Sequence, residues 1–547
     1  MMKMENLFTS GAVKKTLLLA LSFVLGTGMD ARTDRDTYTN PVICLDYSDP
    51  DVVRTGNDYW MTASSFNCIP GLPILHSTDL VNWEIVNYAL DSLVPEEHYS
   101  MVQHGKGVWA PCIKFHEGWY YIYWGDPDFG IFMVKTQDPR GKWSEPVLVK
   151  AGKGLIDPSP LWDDDGKVYL AHAWAASRSG LNSIISVFEM NEEGTECISD
   201  EVMVFDGNRD GHHTVEGAKI YKRNGWYYIF APAGGVATGW QLVMRSRSVY
   251  GPYEARNVME QGDTDINGPH QGAWVDTPSG ENWFIHFQEK QPFGRIIHLN
   301  PMNWTDDGWC VIGNDEDGDG RGEPVRTWKK PDLPADDAEM AMSDEFDSME
   351  PGLQWQWHAN RQDWFGFRNG YGFFRIYGHR EDTPNLWGVP DLFLQKMPAK
   401  AFTATTRLTF NSKGDGDRAG LVVMGFDYGY VSIMRDGENA LIQMASCHDA
   451  DKGTEEETVT VGQTALTMVE SGATPKYTAD IWFRVKADAD GLCRFWYSLD
   501  GKSFKPAGDT FQAREGRWIG AKVGFFCSSF GTGKDRGWID IDWFRIE

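Results

Sequence analysis

Three acidic residues stand directly before strand-like segments, and carboxylates placed in this way can transfer protons or bind cations. Asp49 begins "DPDVVRTGNDYWMTAS", Asp157 begins "DPSPLWDDDGKVYLAHA" and Glu216 begins "EGAKIYKRNGWYYIFAP". Each segment has the pattern of a strand, a turn containing glycine, and a second strand rich in aromatic residues. Two further segments of the same form begin at Ala110 and His270. The chain therefore contains five copies of one hairpin unit.

Carboxylates that meet in one pocket have a small set of chemical uses. Two carboxylates flanking a glycosidic bond can hydrolyse it, because one protonates the leaving oxygen while the other activates water or attacks. A third carboxylate nearby raises the pKa of the acid by like-charge repulsion. Three carboxylates and a histidine can instead hold calcium or a transition metal. A purely structural role remains open for each Asp-Pro, since aspartate favours turns.

The repeat predicts the fold that brings these residues together. Each hairpin is followed by more strand patterns, such as "LPILHSTDLVNWEIV" and "GIFMVKTQDPRGKWSEPVLV". About four strands in each unit of roughly 55 residues, repeated five times, indicate a five-bladed β-propeller. The first strand of every propeller blade lines the central channel, so the strand heads share one mouth. We therefore predict an all-β chain in which Asp49, Asp157 and Glu216 converge on one pocket.

The motifs resemble those of a known enzyme family. "NPVICLDYSDPDVVR", "LIDPSPLWDDDG" and "NGPHQGAWVDT" stand in the order found in glycoside hydrolase family 43, and the resemblance runs from about residue 40 to residue 330. That family has five-bladed propellers, inverts the anomeric configuration and acts on plant cell-wall pentosans. The resemblance implies that Asp49 is the general base, Glu216 the general acid, and Asp157 the modulator of the acid's pKa.

The resemblance also implies substrate-binding residues. His270 matches a histidine beneath the sugar, often near a calcium ion or water on the propeller axis, which makes it a candidate metal contact. Arg295 matches an arginine that contacts substrate hydroxyls and helps to position the carboxylates on the acid side. We expect further substrate contacts from Trp109, Phe66, Ile69 and Gln271. No cofactor is required, and a structural Ca²⁺ on the axis is compatible with the resemblance.

Some positions depart from the family pattern and leave the sugar open. Cys112 stands where an aspartate is common, and Lys219 where xylosidases commonly have a histidine. Cys68 and Ile69 stand where xylosidases tend to have large aromatic residues. We expect these positions to shape the sugar pocket. The closest pattern is that of the branch containing β-xylosidases and α-L-arabinofuranosidases.

The rest of the chain predicts a second β domain. We place the propeller at residues 38–328, a polar, proline-containing linker at 329–343, and a β-sandwich at 344–547. The sandwich resembles the concanavalin-like C-terminal domain of family 43 xylosidases, in which a loop can close one side of the pocket. A stabilising module without substrate contact and a separate carbohydrate-binding domain are the alternatives.

One acidic segment resembles a calcium loop without completing it. "NDEDGDGRGE" contains the start of an EF-hand loop at Asp315, Asp317 and Asp319, but its twelfth position is Arg326 instead of glutamate. We therefore expect a solvated acidic hairpin turn.

The net charge indicates which class of ligand the protein binds, and the N-terminal residues indicate where the protein acts. The net charge of −27 repels phosphate backbones, which argues against nucleic-acid binding and favours a neutral glycan. Lys14 and Lys15 precede a short apolar run, which predicts a signal peptide over residues 1–30 and a periplasmic or extracellular protein, free of the membrane after cleavage. An uncleaved membrane anchor is the alternative. All eight cysteines follow this segment, where disulfides can form.

These observations together predict a secreted, exo-acting, inverting glycosidase. We expect it to release terminal α-L-arabinofuranose, β-D-xylose or both from plant cell-wall hemicellulose glycans. An endo-arabinanase and a catalytically silent glycan-binding propeller are the alternatives. The added sandwich domain and the long loop 91–107 favour a pocket over the open groove of an endo-enzyme. The three acidic residues argue against a lectin, because sugar binding alone needs no proton-transfer pair.

Overall fold

The computed structural model describes residues 36–348, 350–368, 370–380, 383, 385–470, 475–530 and 534–547. The predicted signal peptide, residues 1–30, lies outside them. Across the described part of the chain, no helix is both long and apolar enough to cross a membrane.

Five four-stranded antiparallel sheets follow one another along the chain, one for each predicted repeat. A short strand, β1 (Thr37–Thr39), precedes them. The first two blades are β2 (Asp51–Thr55), β3 (Asp58–Thr62), β4 (Gly71–Ser77) and β5 (Glu84–Leu90), then β6 (Trp109–His116), β7 (Trp119–Asp126), β8 (Gly130–Thr136) and β9 (Val147–Ala151). The third and fourth are β10 (Leu155–Trp162), β11 (Val168–Trp174), β12 (Ile184–Met190) and β13 (Val202–Asp206), then β14 (Lys219–Arg223), β15 (Trp226–Ala233), β16 (Trp240–Ser246) and β17 (Glu254–Met259). The fifth is β18 (His270–Asp276), β19 (Asn282–Lys290), β20 (Gly294–Trp304) and β21 (Cys310–Ile312). The predicted five-bladed β-propeller is confirmed.

Aromatic and aliphatic residues fill both faces of the second strand in each blade, because each blade is packed between two others. In β7, Ile122 and Trp124 pack toward the first blade, whereas Tyr121 and Tyr123 pack toward the third. Successive strand residues point to opposite faces, so a strand buried on both sides is apolar at nearly every position. This geometry explains the aromatic runs that mark the repeats. Short helical turns occupy three loops: α1 (Glu96–Tyr99), α2 (Ala176–Ser179) and α3 (Gly207–Asp210).

Contacts between the first and fifth blades close the ring. Arg54 of β2 donates to both carboxylate oxygens of Asp276 in β18, from Nε at 3.0 Å and from a terminal nitrogen at 2.8 Å. Strand β1 pairs with β22 (Thr327–Lys329), which follows the last blade. The two ends of the propeller segment are therefore held together, and the five first strands keep a fixed arrangement around the axis.

The C-terminal part is a sandwich of two antiparallel sheets, as predicted. One sheet has the order β23-β26-β36-β28-β29-β30-β31, and the other has the order β24-β25-β37-β27-β33-β34-β35, with β32 paired to β33. The strands are β23 (Gln356–Trp357), β24 (Gly366–Arg368), β25 (Phe374–Tyr377), β26 (Phe393–Lys396), β27 (Phe402–Ser412), β28 (Arg418–Met424), β29 (Tyr428–Asp436) and β30 (Asn439–Cys447). They continue with β31 (Glu457–Ala465), β32 (Thr467–Val469), β33 (Lys476–Ala487), β34 (Leu492–Ser498), β35 (Lys505–Gln512), β36 (Lys522–Ser528) and β37 (Trp538–Ile546). Two 3₁₀ turns are Leu386–Gly388 and Ala450–Lys452.

The two domains share apolar and polar contacts. Phe293 and Ile296 of the propeller are buried in the same hydrophobic cluster as the sandwich core. The segment between the domains also contacts the first blade, because the backbone N–H and the hydroxyl of Thr78 donate to Asp336 Oδ2 at 2.8 and 2.9 Å. The sandwich is thus packed firmly enough to supply side chains to a site on the propeller.

The cysteines and the acidic hairpin complete the description. All eight cysteines are free thiols. The carboxylates of Asp315, Asp317 and Asp319 lie within 4.8 Å of one another, and each accepts hydrogen bonds from backbone N–H groups of the same turn.

Candidate active site

Left-handed backbone geometry marks the strand heads that surround the channel mouth. Asp49, Ala110 and Asp157 have φ values of 56°, 37° and 57°. In the fourth and fifth blades the equivalent residues are Gly217, at 65°, and Gln271, at 40°. Glu216 and His270 therefore precede the equivalent position by one residue, which sequence alignment of the repeats did not reveal. Their side chains consequently approach the pocket from a different angle than those of the two aspartates.

Glycine at position 217 is required by this arrangement. A Cβ atom there would lie 2.8 Å from Cδ of Pro232 and 3.0 Å from the side-chain amide carbon of Gln271. The positive φ also favours glycine. Gly217 thus lets Glu216 and Gln271 stand side by side at the channel mouth.

A cavity of about 360 Å³ opens at this mouth and contains nearly all the predicted site residues. Its size is typical of a small-molecule site. It is lined by the predicted residues Asp49, Phe66, Trp109, Asp157, Glu216, His270, Gln271 and Arg295. Ile69 does not line the cavity: it is 1% exposed, packs in the cluster between the first two blades, and pairs through its backbone with Trp357 of the sandwich. The placement of Ile69 among the substrate contacts is therefore corrected.

Three other positions predicted to shape the pocket are also buried away from it. Cys68 lies at the domain interface, against Lys522 of the sandwich. Cys112 and Lys219 lie beneath the strand heads, both fully buried. Lys219 Nζ donates to the carbonyl oxygen of Pro111 at 2.7 Å and lies 3.9 Å from Asp51. These residues can influence the site through charge and packing, but they do not contact a sugar in the cavity.

Asp49 is held by two donors. The hydroxyl of Ser64 donates to Oδ2 at 2.6 Å, and a terminal nitrogen of Arg295 donates to Oδ1 at 3.2 Å. Ser64 is itself oriented by the backbone N–H of Ala110, at 2.7 Å. The guanidinium of Arg295 lies over the ring of Phe287, 4.8 Å from its centroid. Arg295 therefore contacts the carboxylate on the base side, whereas the resemblance had associated it with the acid side.

Asp157 is buried and receives two hydrogen bonds. The backbone N–H of Gly217 donates to Oδ2 at 2.7 Å, and the side-chain amide of Gln271 donates to Oδ1 at 3.3 Å. Burial, together with the charge of Asp49, raises the pKa of Asp157 to about 6, against the opposing effects of the Gly217 hydrogen bond and the charge of Lys219. The carboxylate is thus ionised at neutral pH and turned toward the residue that follows Glu216.

Glu216 has the properties of a general acid. Burial, followed by the charges of Asp157 and Asp49, raises its pKa to about 8, while Arg295 acts in the opposite direction. Its side chain is 30% exposed, to the cavity. Between about pH 6 and pH 8 Glu216 is therefore protonated while Asp157 is ionised. Two carboxyl groups held in opposite protonation states are the arrangement that acid catalysis at neutral pH needs.

His270 does not belong to a set of side-chain metal ligands. Nε2 lies 3.6 Å from Glu216 Oε1, and neither ring nitrogen has a hydrogen-bond partner among the described residues. Burial, followed by the charge of Arg295, lowers the pKa of His270 to about 3, so the ring is neutral. Among the described residues, the one group of three clustered metal-ligating side chains is the acidic hairpin turn. Among the described residues His270 is therefore not part of a cluster of three side-chain ligands, and the axial Ca²⁺ stays a prediction.

The family resemblance implied that a loop of the second domain can close one side of the pocket, but sequence reasoning did not identify the residue that lines the cavity. Trp518, in the loop before β36, lines the cavity with its ring 6.3 Å from that of Trp109 and 5.8 Å from the guanidinium of Arg295. Its φ of 63° is strained for a tryptophan. The adjacent Arg517 packs onto Gly105, where a Cβ atom would lie 2.2 Å from Arg517 Cγ. Only the absence of a side chain at Gly105 lets this loop approach.

Further wall residues come from the third and fourth blades, including Trp174, Asn182, Thr214 and Val236. They lie in loops or at strand ends, outside the repeated motifs. A loop position has no periodic pattern, so no sequence signal marked them.

Comparison with known proteins places this site in context. The profile described as "Glycosyl hydrolases family 43" matches residues 38–310, and that described as "Beta xylosidase C-terminal Concanavalin A-like domain" matches residues 343–547. A putative beta-xylosidase of Xylanibacter ruminicola is 36% identical over 491 residues, covering 89% of this chain and 86% of the relative. A non-reducing end alpha-L-arabinofuranosidase of Bacteroides ovatus is 28% identical, covering 81% and 85%. The crystal structure of the GH43 protein BlXynB from Bacillus licheniformis is 27% identical and superposes with a TM-score of 0.77, covering 93% of this chain and 99% of that one.

Proposed function

The chain belongs to glycosyl hydrolase family 43 and is an exo-acting glycoside hydrolase; we propose that it releases terminal pentose from plant cell-wall hemicellulose glycans with inversion of configuration. The observation that carries this proposal is the pocket containing protonated Glu216, ionised Asp157 and the doubly hydrogen-bonded Asp49. β-D-Xylose is the first candidate sugar, because the relatives that are 36% and 31% identical are named beta-xylosidases. α-L-Arabinofuranose is the second, because of the name of the Bacteroides ovatus relative.

In the proposed reaction the three carboxyl groups act in sequence. Glu216 donates its proton to the leaving glycosidic oxygen, which lowers the barrier to bond cleavage. Asp49 removes a proton from a water molecule that attacks the anomeric carbon from the opposite face. Asp157 keeps Glu216 protonated through the repulsion between their charges. Arg295 and Ser64 hold Asp49 in the orientation needed to activate the water.

Trp518 supports exo action over endo action. It brings the sandwich domain to the wall of the cavity beside Trp109, and so narrows one side of the mouth. An endo-enzyme needs a groove open at both ends to admit a continuous chain. A net charge of −27 agrees with a neutral glycan as substrate. We further propose that the protein acts in the periplasm or outside the cell.

The proposal is tested with the 4-nitrophenyl glycosides of β-D-xylose and α-L-arabinofuranose and with xylo-oligosaccharides. We expect release of single pentose units, with xyloside the better substrate, and NMR of the first turnovers showing an anomer opposite to that of the substrate. A product with the substrate's configuration would exclude inversion. Long oligosaccharides as first products would support the endo alternative, and binding without hydrolysis would support the lectin alternative.

Replacing Asp157 by asparagine should shift the pH dependence of the reaction. The variant keeps the size of the side chain and removes the charge, so the pKa of Glu216 falls and the alkaline limb of the kcat/KM profile moves to lower pH. The acidic limb should move little. A shift of one pH unit corresponds to about 1.4 kcal/mol of lost interaction. If Asp157 only caps a strand, the variant will melt at lower temperature and keep its alkaline limb in place.

Replacing Trp518 by alanine should weaken substrate binding more than catalysis. The ring supplies contact area at the wall without touching the reacting carboxyl groups, so we expect KM to rise by roughly tenfold, about 1.4 kcal/mol, with a smaller change in kcat. Phe530→Ala is the matched control, because Phe530 is also a half-exposed aromatic residue of the sandwich, 49% against 46%, but lies outside the cavity. Equal kinetics of the two variants would show that the sandwich does not contact the substrate.

A further inference from the structure

A cysteine of the propeller and a lysine of the sandwich meet in the interface between the two domains. Cys68 lies in the loop between β3 and β4, and Lys522 is the first residue of β36. Sγ of Cys68 and Nζ of Lys522 are 3.0 Å apart. The two residues are 1% and 2% exposed. The pair is therefore enclosed by protein on all sides.

Among the described residues, Cys68 is the ionisable group within hydrogen-bond distance of Lys522 Nζ. Nζ also donates to Gln356 Oε1, at 3.1 Å. The titratable groups around the pair are His104, His358, Lys396, Tyr88 and Asp46. Asp46 is the carboxylate among them, and it accepts from the backbone N–H of Gly520 at 2.9 Å. The sulfur and the amine nitrogen therefore contact each other directly, and the amide oxygen of Gln356 is the second polar partner of Nζ.

A second cysteine–lysine contact in the chain shows what is different here. Cys197 Sγ and Lys150 Nζ are 3.9 Å apart, where the second and third blades meet near the surface. Lys150 has a carboxylate partner, Glu201, at 3.3 Å. This contact is longer and more exposed than that of Cys68 and Lys522, and its lysine is paired with a carboxylate. It therefore serves as an internal control for the Cys68–Lys522 contact.

We propose that Cys68 and Lys522 are the site of an oxidative S–O–N cross-link between the two domains. The oxidant is dioxygen. The thiol and the amine each lose one hydrogen and together give up four electrons; one oxygen atom becomes the bridge between sulfur and nitrogen, and the other leaves as water. An inserted oxygen keeps sulfur and nitrogen near their present separation, whereas a direct S–N bond requires them to move much closer. Two equivalents of a dithiol reductant supply four electrons and four protons, which restore the thiol and the amine and release the bridging oxygen as water.

The cross-link would join the two walls of the cavity. Phe66, which lines the cavity, precedes Cys68 by two residues, and Trp518 precedes Lys522 by four. The bond also closes a loop that spans most of the chain, and long closed loops restrict the unfolded state strongly. Oxidation therefore stabilises the packing of the sandwich on the propeller and holds the wall that Trp518 forms. This inference does not depend on the proposed sugar or stereochemistry.

The test is peptide mapping of the full chain purified in air and, in parallel, under thiol reductant. We expect the air-handled protein to yield a joined peptide containing Cys68 and Lys522, heavier by one oxygen and lighter by two hydrogens than the separate peptides. The joined peptide should disappear with reductant, in Cys68→Ser and in Lys522→Arg, which keeps the positive charge. It should persist in Lys150→Arg, the matched control.

Melting curves supply the second readout. Wild type and Lys150→Arg should melt at higher temperature in air than with reductant, whereas Lys522→Arg should melt at the same temperature in both. A wild-type chain with separate peptides after exposure to air, or with Cys68 oxidised to sulfinic acid beside a free Lys522, overturns the proposal. Loss of two hydrogens without gain of oxygen also overturns it, since that mass belongs to a direct S–N bond.

Discussion

The Asp49→Asn variant is expected to lose activity by about 10²–10⁴-fold on every substrate, whatever its leaving group. The single side-chain oxygen of asparagine can accept from Arg295, while its NH2 group faces the Ser64 hydroxyl, which can turn to accept. Asparagine cannot take a proton from the attacking water. Water activation is needed for each glycoside in the same way. Values of kcat for a series of aryl xylosides of different leaving-group acidity, beside that for xylobiose, measure the effect.

Two controls separate catalysis from folding in this experiment. Ser64→Ala removes one orienting hydrogen bond and leaves the carboxylate, so its loss should be smaller than that of Asp49→Asn. Melting curves show whether either variant unfolds under assay conditions. A loss for Asp49→Asn that grows with the basicity of the leaving group would assign the acid role to Asp49 and contradict our assignment.

The Glu216→Gln variant is expected to lose about 10²–10⁴-fold on xylobiose and far less on activated aryl xylosides. A good leaving group departs without protonation, so the missing acid matters little there. Wild-type activity should fall as pH rises through about 8, because the protonated form of Glu216 is the active one. That alkaline limb should be absent in the variant. Equal losses on both substrates would reject Glu216 as the acid.

The melting temperature shows whether Glu216→Gln loses activity because it is less stable. The folded chain holds the proton of Glu216 up to about pH 8, whereas an unfolded chain releases it near the ordinary value of 4.5. The folded state therefore binds more protons across this window, and wild-type stability falls as pH rises through it. Glutamine has no proton to lose, so the variant should melt at higher temperature than wild type at pH 8. A variant that melts lower would indicate that the carboxyl group is structural.

The repeats allowed the fold and the three central carboxylates of the site to be predicted from the sequence. A blade must bury both faces of its second strand, so the aromatic runs around Tyr121 and Tyr228 follow from the packing that a propeller imposes. The first strands must line one channel, so Asp49, Asp157 and Glu216 could be expected to meet. Their approximate roles followed from the family resemblance, and the raised pKa of buried Glu216 beside Asp157 agrees with the acid role.

The register of the strand heads and the direction of the nearby side chains became known only from the tertiary structure. The displacement of Glu216 by one residue from Asp157 depends on the positive φ of Gly217 and on its contact with Pro232, which no local pattern encodes. Ile69 was predicted at the sugar because it stands where xylosidases tend to have large aromatic residues, but successive residues of a chain point in different directions. Ile69 instead faces the apolar cluster between blades, while Phe66 faces the cavity.

The resemblance implied that a loop of the sandwich can close the pocket, but the residue that does so could not be read from sequence. Trp518 is more than 400 residues from Asp49 along the chain, and its position depends on how the whole second domain packs on the first. The contact between Cys68 and Lys522 has the same origin. Periodic patterns report which face of a strand is buried, because burial acts on each strand locally. They carry no information on which distant loop covers a pocket, since that depends on the summed packing of two domains.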